Sequence, residues 1–310
     1  MAKVAFVFPG QGAQKVGMGK EAFEATPEGR EAFEQADAAL GESLSGLCFE
    51  GPEETLRLTA NSQPAILTTS IALWRGLGLQ GDVLAGHSLG EYSAHVAAGT
   101  LAFADAVRLV RLRGTYMQDA VPAGEGAMAA ILGAPAEVVE EVCQGIAGCV
   151  EPVNYNCPGQ LVIAGETAAV EAACEAMLKR SAKVSRLPVS APFHSSMMKP
   201  AEARFEPHLR EAHFNAPTAP VYINVDASPV SDAQVACDAL VRQVSRPVRW
   251  EETVGRMVED GVGLFVEIGP GKALTGMIRR IAKDVPRVNV QTPADFAAAR
   301  AAIEKLRADS

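Results

Sequence analysis

The sequence predicts an α/β fold: a large domain built on a mostly parallel sheet, interrupted by a smaller inserted unit. Three observations carry this. Short apolar runs alternate with amphipathic segments over most of the 310 residues, as when helices join parallel strands. Residues 126 to 189 instead read strand, helix, strand, strand, helix, strand, the βαββαβ order of a ferredoxin-like unit. Gly86-His87-Ser88-Leu89-Gly90 lies between an apolar strand and an alanine-rich helix, as a nucleophile elbow does, which makes the large domain α/β-hydrolase-like. The expected division is 1–125 and 190–310 for the catalytic domain and 126–189 for the insert.

Composition narrows the class. Hydrophobic residues at 48% and charged residues at 21% are those of a soluble globular protein. The apolar run Val4 to Phe8 is too short for a signal peptide, and no later run is long enough to span a bilayer. Six scattered cysteines, with no C-x-x-C and no histidines at ligand spacing, read as reduced thiols of a cytoplasmic protein without a metal site. A net charge of −9 argues against a nucleic-acid surface, so an acidic partner needs a local basic patch.

Lys3 to Phe8 reads as a buried strand ending in Pro9-Gly10-Gln11-Gly12-Ala13-Gln14. Lys15 stands where the third glycine of a dinucleotide fingerprint belongs, and Gly19-Lys20 lacks the rest of a phosphate loop. What remains is a loop whose glycines allow close backbone approach, with Gln11 as a second oxyanion donor or a packed turn. Helices fill 21 to 60, with turns at Gly41 and Gly51-Pro52. Another starts at Pro64 and runs to about Leu77. Val83-Leu84-Ala85 is the strand before the elbow. The elbow lifts the Ser88 hydroxyl clear of the sheet, and the following helix points its amides at a developing oxyanion. Ser88 and Glu91 also have capping-box spacing, which explains neither glycine. His87 reads as a packing residue.

The helix from Phe103 to Val121 places Arg113 on the face of Ala106, Leu109, Val110, Tyr116, Met117 and Ala120, with Arg108, Arg111 and Gln118 opposite. An inward guanidinium needs an anion: a buried Asp or Glu, or a substrate carboxylate. In the insert, strands are expected at 127–132, 149–154, 161–164 and 182–187, with helices at 135–146 and 167–180. Asn156 to Gln160 is the loop between the middle strands. The chain returns through Ser190-Ala-Pro-Phe-His194. Of five histidines, only His194 lies in a loop at a domain return, as a base or as a structural residue. With no acid in a triad position, a backbone carbonyl is expected to orient it. Pro220 to Val225 and Leu264 to Ile268 read as strands, with a helix between them ending at Glu259. A helix to Ile281, a strand from Arg287 to Gln291 and a last helix complete the chain.

These segments together resemble the malonyl-CoA–acyl carrier protein transacylases, the malonyl/acyl transferase family of fatty acid and polyketide synthesis. The resemblance covers nearly the whole chain. It rests on Phe8-Pro-Gly-Gln11-Gly-Ala-Gln14, Gly86-His-Ser88-Leu-Gly-Glu-Tyr92, Arg111-Leu-Arg113-Gly, Asn156-Cys-Pro-Gly-Gln160, Pro192-Phe-His194, Gln243 to Trp250 and Glu267-Ile-Gly-Pro-Gly271. It implies Ser88 as nucleophile, His194 as base, Gln11 and Leu89 as oxyanion amides, Arg113 as the malonyl carboxylate site, and Gln243 as a substrate-binding residue whose loop holds His194. It implies malonyl-CoA and an acyl carrier protein as partners, and no cofactor. In related polyketide acyltransferases, a Phe before the histidine accompanies malonyl, and Phe193 agrees, although Ala191 departs from the longer form of that motif. Lys179, Arg180, Lys183 and Arg186 are expected to form part of a carrier docking surface, or a solvated charged face. A monomer is expected. The rival readings are a polyketide-pathway acyltransferase acting in trans, a serine thioesterase or esterase, and a non-enzymatic carrier-binding module.

Overall fold

Two sheets organise the chain in the computed structural model, which describes residues 2–189 and 191–309. Strand β1 (Lys3–Phe8) is buried over five of its six residues. Helices α1 (Lys20–Ala25), α2 (Pro27–Leu40), α3 (Leu44–Glu50) and α4 (Glu53–Arg57) follow, broken at Gly41 and Gly51 as expected. Helix α5 (Thr59–Leu77) begins five residues before the expected start at Pro64, which lies inside it. Burial overrides the proline: Thr59, Ser62 and Gln63 are all enclosed. Gly114 packs against this first turn so closely that a Cβ there would lie 2.5 Å from the Thr59 carbonyl oxygen. Then come β2 (Val83–Gly86), α6 (Gly90–Ala97) and α7 (Phe103–Asp119).

The intervening stretch is β3 (Gly126–Leu132), α8 (Ala136–Gly145), β4 (Val150–Cys157), β5 (Gln160–Glu166), α9 (Thr167–Lys179) and β6 (Lys183–Arg186). Its sheet is antiparallel throughout, in the order β4-β5-β3-β6. The connection expected over Asn156 to Gln160 is only Pro158-Gly159, since both strands run into it and Gly159 takes the left-handed turn at φ 68. The boundary expected at residue 190 falls on Ser190, outside the described residues.

The chain returns through α10 (Lys199–Glu211), β7 (Val221–Ile223), β8 (Ser228–Val230), α11 (Ala233–Gln243), α12 (Trp250–Glu259), β9 (Val262–Ile268), α13 (Ala273–Ile281), β10 (Arg287–Val290) and α14 (Phe296–Ala308). Here the expectations need two corrections. The strand expected to reach Val225 stops at Ile223 and folds back as β8, antiparallel to β7. Helix α11 was not expected at all. Its N-cap is Asp232, which accepts from the Val235 amide at 2.9 Å, and its buried face carries Ala236, Cys237, Ala239, Leu240, Val241 and Gln243.

The large sheet has the order β10-β9-β1-β2-β7-β8, parallel except for the last pair. Strand β1 shows the two-residue period of a central strand. Val4, Phe6 and Phe8 enter the core beneath α5 and α7, while Ala5 and Val7 enter the opposite core with Trp250 and Phe265. Phe8 pairs with Gly86 in register, so the loops after β1 and β2 leave the sheet side by side at its carboxyl edge. The two elbow glycines are steric necessities. A Cβ on Gly86 would lie 1.9 Å from the Gly90 carbonyl carbon, and one on Gly90 would lie 2.0 Å from the Phe8 carbonyl oxygen. Both clashes are with backbone, which cannot swing aside. Gly90→Ala is therefore expected to destabilise the fold by about 2–3 kcal/mol through overpacking. A melting temperature equal to that of the parent would show that the elbow can relax.

Candidate active site

Ser88 sits at the elbow with φ 51, a conformation that non-glycine residues rarely adopt. Its Oγ lies 2.7 Å from His194 Nε2. His194 comes from the return loop, also at positive φ (65). Its Nδ1 lies 2.8 Å from the Gln243 carbonyl oxygen. A carbonyl accepts only, so Nδ1 carries the proton and Nε2 is left to accept from the serine hydroxyl. Burial first, and the Arg113 charge second, push the imidazole pKa down to about 3, so the ring is neutral at physiological pH.

Arg113 is only 1% exposed. It donates to Gln63 Oε1 at 2.8 Å, to Gln243 Oε1 at 2.9 Å and to Ser88 Oγ at 3.2 Å. Its guanidinium carbon lies 5.5 Å from the Tyr92 ring centroid. Among the described residues no carboxylate comes within ion-pair distance of it. The sequence left a buried Asp or Glu open as its partner; the structure supplies neutral amides instead. Arg113 is thus a desolvated cation aimed at the nucleophile. On the same helix Arg108 is exposed as expected, but Gln118 is half-buried and accepts from Thr59 Oγ1 at 3.0 Å.

Gln11 lines the same cavity, and its side chain donates to Thr59 Oγ1 at 3.3 Å. Leu89 immediately precedes α6, whose first amides, those of Gly90, Glu91 and Tyr92, bond back to the carbonyls of His87, Ser88 and Leu89. Among the described residues neither the Gln11 nor the Leu89 amide donates to a protein acceptor. The cavity has a volume of about 450 Å³. Ser88, His194, Arg113 and Gln11 line it together with Met128, Asn154 and Leu187 to Val189. Gln243 corrects an expectation, because it is not on the cavity wall. It is fully buried behind Arg113, donating through Nε2 to the Ser88 carbonyl at 3.0 Å and to Glu91 Oε2 at 2.9 Å.

The capping-box alternative for Ser88 and Glu91 is not formed. Glu91 Oε2 instead accepts from the Asn224 and Gln243 nitrogens, and burial pushes its carboxyl up to about 7. His87 packs against Trp250 and pairs with Asn156 at 2.8 Å, as a packing residue would. Asn224, Gln63 and the role of Glu91 escaped the sequence reading. Asn224 accepts from the Ser88 amide at 2.6 Å and donates to the Gly86 carbonyl at 2.7 Å. Its only signal was an asparagine directly after a strand; for Gln63 it was a polar residue beside a proline on an otherwise buried helix. Among the described residues no group of His, Cys, Asp and Glu could hold a metal ion.

A Ser–His pair oriented by a carbonyl, with an arginine on the nucleophile, is an acyl-transfer site that favours acids. Comparison with known proteins agrees. The acyl transferase domain model matches residues 5–298. The malonyl CoA-acyl carrier protein transacylase of Bacillus subtilis is 46% identical over 94% of this chain and 95% of its own. Its counterpart in Escherichia coli K12 is 47% identical over 96% and 99%. The solved structure of the Clostridium perfringens transacylase superposes with a TM-score of 0.95 at 40% identity, covering all of both chains. A malonyl-transacylase solved in complex with its type II polyketide acyl carrier protein superposes at 0.94, with 44% identity over 96% of this chain and 99% of that one. With the match spanning both sheets and every segment of the site, the chain belongs to the acyl transferase domain family.

Proposed function

We propose that the protein transfers the malonyl group of malonyl-CoA to the phosphopantetheine thiol of an acyl carrier protein through an ester on Ser88. The observation that carries this is the unpaired Arg113 guanidinium touching the hydroxyl that His194 activates. One methylene separates the two carbonyl carbons of malonyl. An acyl carbon bonded to Ser88 Oγ therefore leaves the free carboxylate within reach of Arg113. The names of the relatives and the carrier complex support the same substrate and partner.

The residues divide the work. His194 Nε2 takes the Ser88 proton while Oγ attacks the thioester carbon. The amides of Leu89 and Gln11 hold the oxyanion, where one such donor is worth about 10²–10³ in rate. Collapse breaks the C–S bond, and the departing thiolate takes the proton from His194. The malonyl ester then waits with its carboxylate on Arg113. In the second half the carrier thiol gives its proton to His194 and attacks the ester, and Ser88 recovers the proton as it leaves. Gln243 holds Arg113 and His194 rather than the substrate. These groups balance both halves without a cofactor. The insert, taken as 126–189, closes the cavity over Ser88. The unpaired state of all six cysteines favours the cytoplasm, and among the described residues no helix is long and apolar enough to cross a membrane.

Lys179 and Lys183, near the end of α9 and the start of β6, have no ion-pair partner among the described residues. Arg180 and Arg186 pair with Glu141 and Glu171, and Leu178 beside them is 56% exposed. This mixed basic and apolar patch is part of the carrier docking surface.

Four outcomes are expected. Intact-mass analysis after brief incubation should show a malonyl adduct on the parent and none on Ser88→Ala. Arg113→Ala should lower the malonyl-to-acetyl acylation ratio by roughly 10²-fold, the worth of a pair of charge-assisted hydrogen bonds. Free CoA released without an adduct would favour a thioesterase, and an unchanged ratio would remove Arg113 from recognition. Next, because burial lowers the His194 pKa, the neutral base persists on acidification, and single-turnover acylation should not fall with a midpoint near 6.5; such a fall would mean a solvated base. Finally, the double variant Lys179→Glu, Lys183→Glu should slow transfer to the carrier several-fold at low salt while acylation by malonyl-CoA is unchanged. Equal effects on both halves, or none, would place docking elsewhere.

A further inference from the structure

A serine at φ 51 does not hold itself there; the surroundings must over-determine it. The elbow's glycines permit the turn, but permission is not restraint. Gln243 and the Glu91 amide hold the Ser88 carbonyl, and the restraint on the amide side comes from Asn224, which follows β7, the strand beside β2. Its carboxamide spans the elbow: Nδ2 donates to the Gly86 carbonyl at 2.7 Å and Oδ1 accepts from the Ser88 amide at 2.6 Å. Its own backbone is fixed on both sides. The amide donates to Glu91 Oε2 at 2.8 Å, and the carbonyl accepts from the Arg249 amide at 3.1 Å. Asn224 is fully buried and does not line the cavity.

We infer that Asn224 is a positioning residue for the reaction: its two-ended hydrogen bond to Gly86 and Ser88 clamps the strained elbow and keeps Ser88 Oγ in line with His194. The proposal rests on the transferase reading only for the identity of the acyl donor, since the clamp serves any electrophile that meets Ser88. It requires one donor and one acceptor on a single planar group. That requirement separates asparagine from its isostere. An ionised aspartate has no donor, so it would oppose an oxygen to the Gly86 carbonyl and add a charge beside Glu91. Protonated, it recovers an O–H for Gly86 while its other oxygen still accepts from Ser88. The ionisable groups around the position are Glu91 from α6, Arg113 from α7, His194 through Ser88, the Asp226–Arg242 ion pair, and Arg249 before α12. A misplacement of about 1 Å at a reacting atom costs on the order of 10²-fold in rate.

The test measures Ser88 labelling by phenylmethylsulfonyl fluoride, and acylation by malonyl-CoA and acetyl-CoA, from pH 8 to 5.5. The proteins are the parent, Asn224→Asp and Asn224→Ser, each checked for a cooperative melt. At pH 8 the Asp variant should be about 10²-fold slower than the parent with all three reagents. Relative to the parent it should recover roughly tenfold per pH unit while the new carboxyl is mostly ionised. The malonyl-to-acetyl ratio should stay at the parent's value. Asn224→Ser, which cannot reach both partners, should be slow at every pH. A folded Asp variant that matches the parent at pH 8, or whose deficit does not shrink in acid, would overturn the clamp. If the Asp variant does not fold, parent-like labelling of Asn224→Ser would do the same. A parent that is labelled by the sulfonyl fluoride but takes no malonyl would sink the transferase reading while leaving the clamp measurable.

Discussion

The site depends on one buried amide. Gln243 gives its backbone carbonyl to His194 and its side-chain oxygen to Arg113. Its side-chain nitrogen goes to the Ser88 carbonyl and to Glu91. Nucleophile, base and arginine are therefore all fixed relative to one residue with no exposure to water. The amide cannot turn over. Reversed, its nitrogen would face a guanidinium that only donates, and its oxygen would face the Ser88 carbonyl, which only accepts. A donor at one end and an acceptor at the other set its polarity, and a network satisfied at both ends is rigid where a half-satisfied one is costly.

That arrangement places a cation and a carboxyl in the same dry region without letting them touch. Burial penalises charge on Arg113 and Glu91 alike, which is why the Arg113 pKa is lowered and the Glu91 pKa raised. A direct pair between them would be comfortable and useless, because the guanidinium would have no unmet need. Gln243 and Gln63 hold Arg113 through neutral oxygens, so its charge remains open to a carboxylate arriving from the cavity. An acetyl group brings no such anion. In the proposed reaction, the choice of malonyl belongs to this separation as much as to the arginine itself.

How much of this the sequence shows follows from how far each constraint reaches. The elbow is legible because its cause is local: Gly86 and Gly90 meet each other's backbone and that of β1. Arg113 is legible because helical period alone turns it inward. His194 stands out by its place in the return loop. Asn224 and Gln243 are different. Their partners lie 136 and 155 residues away at Ser88, and no spacing rule reaches across such loops. Helix α11 delivers Gln243, and half of its buried face is alanine and cysteine, which mark a core face less plainly than larger apolar residues do. Pro64 misled for a related reason, since packing of the helix start against Gly114 outweighs one lost hydrogen bond.

The inserted sheet belongs to the same argument. Strand β4 makes a parallel bridge to the loop between α11 and α12: the Tyr155 amide donates to the Val248 carbonyl at 2.9 Å, and the Val248 amide to the Val153 carbonyl at 2.8 Å. One residue further along, Asn156 holds His87, the elbow residue before the nucleophile. The insert thus grips both the loop that follows Gln243 and the turn that carries Ser88. A unit that only roofed the cavity would need neither contact. Strand β4 also contributes Asn154 to the cavity wall, so the strand that ties the base loop to the elbow borders the space above Ser88 as well.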